Sequence, residues 1–366
     1  MLKLRRGTVA TVDPLIVRVG EEERRAWADP ALVGEVRAGD DVVVNVEARD
    51  LGLGSGGFDI VHVNLTRGLD GPGAGGGEHV MKLNYTPLQH PVEPVEVPVD
   101  RADADPAPVP PAGAKPPVLV IPVHGHLAPA AWAFAEAGAG LRLGYVQGAG
   151  GALAGTLSRD VAELRERGLL AGHITAGPAY GGEHEAIGVV GALDTAARRL
   201  EWDAIVAGPG PGILGSATRF GHGGIAALDA AHAALSLGLP ALVSPRLSSS
   251  DPRPRHRGLS HHTASVLGLA LAPVRVPVPE TEVEGWPLLD AEAPEGGSPQ
   301  AALDSLIELC GGRHDIAVER IDLDGYAASG LPQTAMGRAI PEDPLFFAAP
   351  LAAGGALAGT VSGNGG

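Results

Sequence analysis

Apolar residues alternate with polar ones, or gather in β-branched runs, at residues 2–12, 15–20, 41–48, 58–65 and 78–84. Period-two patterning of this length belongs to strands with one buried face. Asp13-Pro14, residues 37–40 and residues 54–57 supply turns between them, so residues 1–90 read as a small β-barrel-like domain. Residues 91–117 are crowded with proline (VEPVEVPVD, then RADADPAPVPPAGAKPP) and poor in bulky apolar side chains. They read as an extended linker.

Beyond Pro117 the pattern changes to strand, loop, helix. Strands are expected at 118–123, 141–147, 172–176, 204–207, 241–244 and 274–278, and helices at 158–167, 185–200, 224–237 and 261–270. Such alternation predicts a mainly parallel sheet with helices on both faces, a three-layer, Rossmann-like α/β domain over residues 118–347. A helix at 299–309, a strand at 315–321 and a Gly/Ala-rich tail, 348–366, expected to be mobile, complete the reading.

Loops entering the strands are short and plain, whereas those leaving them are long and chemically loaded: HGHLAP, QGAGGALAG, GPAYGGEHE, GPGPGILGSATRFGHGG at 208–224 and SPRLSSSDPRPRHRGLSHHT at 244–263. Parallel strands gather such loops at one edge, where α/β proteins bind ligands. Gly148, Gly150 and Gly151 in the second loop, and Gly208, Gly210 and Gly212 in the fourth, free the backbone to approach a ligand, and Arg219 and His222 sit beside the latter set. The fifth loop concentrates Arg246, Arg253, Arg255, Arg257 and His256, and ends at Ser260, a predicted N-cap that leaves His261 and His262 in the first helical turn. Guanidinium groups around a helix N-terminus suit phosphate or carboxylate. Asp251 and Ser248–Ser250 are placed to orient them. His124 and His126, two apart in an extended run, are expected on one side of the chain, and Glu183 and His184 belong to the third loaded loop.

Composition narrows the function. A formal net charge of -16, with lysine only at positions 3, 82 and 115, argues against a nucleic-acid-coating surface. Against that background a local excess of arginine points to an anionic ligand. Cys310 is the sole cysteine, which excludes an intrachain disulfide and any cysteine-rich metal centre. No signal-length apolar segment opens the chain and no uninterrupted apolar run reaches spanning length, so a cytoplasmic protein without membrane partners is expected. No Gly-Lys-Ser/Thr follows the glycine-rich loop, the glycines after residue 147 miss the dinucleotide spacing, and neither HExxH nor GxSxG is present. The spacing therefore indicates no metal and leaves the cofactor unknown. His173 and His232 read as structural.

The segments EVRAGDDVVVNVEARDLGLGSGGFDIVHVNLTRGL, GEHVMKLNYTPLQ, GYVQGAGGALAGTLS, ITAGPAYGGEHEAIG and RHRGLSHHT, in this order, resemble the uncharacterised bacterial family catalogued as domain of unknown function 3866. The resemblance spans nearly the whole chain and implies a common architecture without an activity. A fainter similarity, through Tyr85-Thr86-Pro87, is to the substrate-reducing components of glycine and proline reductases; their cysteine-based chemistry is not reproduced by Cys310 alone.

Three functions stay open at this stage. In the first, an enzyme holds a small anionic metabolite with Arg246, Arg253, Arg255 and Arg257 while His124, His126, His222 or His261 moves protons near neutral pH. In the second, the same site belongs to a non-catalytic sensor or carrier. In the third, the arginine loop and linker serve assembly, including a homo-oligomer.

Overall fold

The N-terminal alternation closes on itself. In the computed structural model, which describes residues 1–52, 57–69, 80–96, 115–216, 218–289 and 298–363, β1 (Leu4–Val12), β2 (Leu15–Val19), β3 (Glu22–Trp27), β4 (Asp41–Asn45) and β5 (Asp59–Asn64) form a barrel in the order β1-β2-β3-β5-β4, with short helices α1 (Pro30–Val33) and α2 (Glu47–Asp50) between strands. Val9, Val17, Val42, Val44 and Val61 fill it. The strand β3, EERRAW, carries no β-branched residue, and its inward Arg24 is held by Asp59 at 2.5 Å and Asp50 at 2.5 Å. A hairpin of β6 (Val80–Lys82) and β7 (His90–Val92) follows. The chain divides into two units, Met1–Glu93 and Pro94–Gly366. Most of the expected linker, and the glycines at 54 and 56, lie outside the described residues.

The second unit is built on β8 (Val118–Val120), β9 (Leu143–Gly148), β10 (Gly172–Ala176), β11 (His184–Ala186), β12 (Ala204–Pro209), β13 (Ala241–Val243), the short pair β14 (Leu247–Ser248) and β15 (Gly258–Leu259), β16 (Arg275–Pro279), β17 (Asp315–Glu319) and the pair β18 (Thr334–Ala335) and β19 (Arg338–Ala339). Its helices are α3 (Leu127–Ala137), α4 (Arg159–Glu166), α5 (Val189–Arg199), α6 (Ala226–Ser236), α7 (His261–Leu269), α8 (Pro299–Cys310), α9 (Leu323–Ala328) and α10 (Pro344–Gly363). Eight strands pair in parallel throughout, in the order β11-β10-β9-β12-β8-β13-β16-β17. The unit is a three-layer α/β domain.

From β8 the chain steps through α3 to β9 and on to β10 and β11, returns through α5 to insert β12 between β9 and β8, and proceeds through α6 to β13 and beyond. Right-handed crossovers in opposite directions place their helices on opposite faces. Accordingly α3 packs with α4 and α10, and α6 with α5 and α7. The loop leaving β8 therefore diverges from those leaving its neighbours β12 and β13. Such a divergence opens a crevice at the C-terminal edge of the sheet.

The C-terminus departs from expectation. The stretch from Ala348, read as a mobile tail, forms most of α10 and is buried against α3 and β16. Its small residues are the reason: a Cβ on Gly354 would lie 2.2 Å from the Ala130 carbonyl oxygen, so only glycine lets the two helix backbones come this close. With an 18-residue window of mean hydropathy 1.5, α10 is also long and apolar enough to cross a membrane, although 72% of that window is buried inside the fold. Alanine and glycine give it the composition of a core element with no polar face.

Candidate functional site

Two glycine-rich loops interlock at the C-terminal edge. A Cβ on Gly223 would fall 1.7 Å from the Gly150 carbonyl oxygen, and one on Gly151 would fall 2.1 Å from that of Gly210. These glycines are thus required by the contact of one loop with the other. Gly148 and Gly208 instead line a small cleft of about 170 Å³ with Val146, Ala207 and Ala230, in which Asp229 is the charged lining residue. Gly212 takes a positive φ of 73° in open space.

His124 and His126 depart from the extended run expected for them. They form a single 3-10 turn after β8, and both are buried. Nδ1 of His124 donates to the Pro209 carbonyl at 3.2 Å, which leaves Nε2 to accept from Ser158 Oγ at 2.7 Å, with an Asp160 oxygen at 3.9 Å. Burial pushes its pKa below the ordinary value although Asp160 opposes the shift. His126 faces elsewhere, its Nδ1 2.9 Å from Ser244 Oγ and its ring edge-on to Phe346. Burial and the field of Arg246 lower it to about 3. The two imidazoles thus have separate sets of partners.

Glu183 and His184 also part from the rest. Glu183 pairs with Arg165 at 2.8 Å, and His184 opens the terminal strand β11. Five inter-strand spacings separate β11 from β13, the strand that leads into Arg246, which is about 24 Å across the sheet. Gly177 and Pro178, at the start of the loop leaving β10, still line the cleft with Gly148 and Gly208, so the single site expected for all loaded loops loses Glu183 and His184 and not the whole of that loop.

The arginine loop is organised around two carboxylates. Asp251, wholly buried, accepts from Nε and Nη2 of Arg253 at 2.9 Å each, from Arg338 Nη2 at 3.2 Å and from Arg246 Nη2 at 3.5 Å. Asp343 accepts from Arg338 Nε at 3.0 Å, Ser248 Oγ at 2.7 Å and the Ser249 amide at 2.7 Å. Burial works against ionisation of Asp251, but the hydrogen bonds and charge of Arg253, with Arg338, hold it well below the usual carboxylate range. Burial likewise lowers Arg246 to about 10 while Asp251 resists the shift. The charge of the arginine loop is thus partly neutralised: Arg246 and Arg253 are ion-pair partners of Asp251. Arg255 is exposed and Arg257 half-buried, and neither has an ion pair among the described residues. Arg219 is exposed, its guanidinium 5.0 Å from the Phe220 ring centre.

Beside this cluster four histidines converge. Ser260 caps α7, accepting from the His262 amide, and its hydroxyl also meets His256 Nδ1 at 2.8 Å. The His222 ring, brought by the loop after β12, stacks on His262 with centroids 3.8 Å apart, and His261 lies edge-on to both. His256 stands 4.8 Å from the ring centres of His261 and His262. Burial, then the field of Arg246, lowers His256 to about 3 and His262 to about 2. Burial lowers His222 and His261 as well. All four are neutral imidazoles at neutral pH. Ligand spacing along the chain indicates no metal, yet one nitrogen from each of His222, His261 and His262 falls within 4.8 Å of the others.

Sequence reasoning passed over Arg338, Asp343, Ser158 and Tyr145. The first two lie between α9 and α10, in a segment that follows a helix and not a strand of the sheet, and Tyr145 is hidden inside β9, where its hydroxyl donates to the Pro209 carbonyl at 2.9 Å. Ser158, directly before a run of helix formers, was legible as a cap and holds the Val161 amide.

Barrel, parallel sheet and a C-terminal-edge cluster of arginine and histidine define a two-unit protein whose larger unit is of the three-layer α/β class. The chain belongs to the family described as protein of unknown function (DUF3866), whose model matches residues 25–354. No curated protein and no solved structure matches it.

Proposed function

We propose that the C-terminal edge of the sheet binds and transforms a small anionic metabolite bearing a phosphate or carboxylate. The observation that carries this reading is a charge imbalance: three guanidinium groups, Arg246, Arg253 and Arg338, share two carboxylates, Asp251 and Asp343, while the four surrounding imidazoles are neutral. One positive charge is left over in a cluster whose Arg246 is buried, whose Arg338 is half-buried and whose Arg253 reaches solvent, and a bound anion offsets it. Nε of Arg246, buried and without a hydrogen-bond partner, is part of that surplus. Arg255 and Arg257 extend it towards solvent at the start of α7, where the capped helix adds its own preference for negative charge. Each good charge-assisted contact is worth about 1.5–3 kcal/mol.

Of the histidines, His261 suits proton transfer best because it is only half-buried and its Nε2 has no hydrogen-bond partner of good geometry among the described residues. His124 is already engaged through both ring nitrogens. A sensor that binds the same anion without turnover is the second reading, favoured by the depth at which His222, His256 and His262 are buried.

The test is a thermal-shift screen of phosphorylated, nucleotide and carboxylate metabolites on wild type and Arg257→Ala, followed by NMR of each hit over time. A melting rise confined to wild type supports the site, and conversion of the hit separates enzyme from sensor. A rise equal in both proteins, or no rise with any metabolite, overturns the reading.

A further inference from the structure

We infer that His222, His261 and His262 form a binding site for one divalent transition-metal ion. The site goes beyond the anion reading and does not depend on it, since imidazoles bind such ions with or without a neighbouring anion.

The geometry comes first. One ring nitrogen from each residue lies within 4.8 Å of the other two. A tetrahedral ion with bonds of about 2.0–2.1 Å holds its ligand atoms about 3.3 Å apart, so modest side-chain rotations close the set. The three rings arrive from two loops that follow different strands, which is why no sequence spacing announces them. Gly224, between them, keeps the approach open: a Cβ there would lie 2.9 Å from His262 Nδ1 and 3.3 Å from His222 Nδ1.

Unsatisfied nitrogen is the independent observation. Both ring nitrogens of His222, a residue 5% exposed, and Nε2 of His261 are buried without a hydrogen-bond partner of good geometry among the described residues. A neutral imidazole carries one N–H and one lone pair, and leaving a lone pair dry is costly. The Arg219 backbone interacts with both the His222 and His261 rings, and its carbonyl can receive an N–H and orient the opposite nitrogen towards an ion, as carbonyls do behind metal-bound histidines.

His262 sets the terms of binding. Its Nδ1 lies 3.2 Å from Arg246 Nη1 and accepts from it. An ion that takes this lone pair displaces the guanidinium. The metal and Arg246 then stand side by side as cations, and both favour an anion, hydroxide or carboxylate, in the fourth position. Three nitrogen ligands without thiolate or carboxylate suit zinc, cobalt(II), nickel(II) or copper(II) rather than magnesium or calcium.

The experiment strips the full-length protein with chelator, reloads it with Zn²⁺ or Co²⁺, counts metal by plasma mass spectrometry and follows Co²⁺ binding by visible absorption. Wild type should hold about one ion per chain, with cobalt bands typical of four-coordination, and His222→Ala or His261→Ala should bind at least about tenfold more weakly. His261 is only half-buried, so its variant keeps the test valid should His222→Ala fail to fold; circular dichroism reports folding for both. Absence of saturable Zn²⁺ and Co²⁺ binding in wild type, or equal binding by a folded variant, overturns the site. Anion-induced melting shifts are read without added metal, so failure of the anion reading leaves these counts untouched.

Discussion

His222 and His262 follow different strands, β12 and β13, and their rings nonetheless stack with centroids 3.8 Å apart and planes 7° from parallel. Neither ring can take a proton without placing a cation against the other and near Arg246. The cluster is therefore built for neutral imidazole, and stability inherits that constraint.

Acid should destabilise the fold earlier than carboxylate titration does. His126 and His256 stay neutral down to about 3 and His262 to about 2, whereas in the unfolded chain each protonates near 6.5. The unfolded state thus binds more protons below pH 6.5, and the stability these groups contribute, complete above that value, is lost as pH falls towards 3. The slope is up to about 1.4 kcal/mol per pH unit for each histidine. Melting temperatures measured from pH 8 to pH 5 should be flat above 7 and fall steadily below 6.5, and His256→Gln should soften the fall. A profile flat down to pH 5 would show that these rings are solvated.

Interlocked loops predict a sharp contrast between glycines. Gly223→Ala must push a methyl group into the Gly150 carbonyl and should cost about 2–4 kcal/mol by urea unfolding. Gly212→Ala meets no atom within 4 Å and pays only for its positive φ, about 1 kcal/mol. Equal costs would mean that the loops separate easily.

The arginine cluster should be sensitive at its carboxylate and tolerant at its rim. Asp251→Asn leaves three guanidinium groups around one neutral amide and should cost about 3–5 kcal/mol. Exposed Arg255→Ala, with no ion pair among the described residues, should change stability by less than about 0.5 kcal/mol. Thermal and chemical unfolding of the two variants would check the ordering, and a reversed order would refute the central place given to Asp251.

Much of the architecture was legible because burial writes itself into periodicity. Ala204–Pro209 is apolar on both faces, as a central parallel strand must be, and the asymmetry between plain and loaded loops located the functional edge. What escaped was whatever depends on contact between distant segments. EERRAW is a strand because barrel closure gives Arg24 two carboxylates, which no local pattern records. PLFFAAPLAAGG is a helix because Gly354 fits against Ala130, a fact of tertiary approach. At the site, Arg246, Asp251 and Arg253 announced themselves by composition, but the sharing of Asp251 with Arg338 and the meeting of His222 with His262 could be seen only once the loops were folded.

The most direct test of the central claim, an anion held where guanidinium charge exceeds carboxylate, is a crystal structure of the protein grown with a metabolite hit or with about 10 mM phosphate, above the millimolar to micromolar dissociation constants that two or three charge-assisted contacts supply. The account predicts density for the anion within hydrogen-bond distance of Arg257 or Arg246 and facing the first turn of α7. Density confined to other surfaces, with the arginine and histidine side chains unmoved and bare at that ligand concentration, would contradict it.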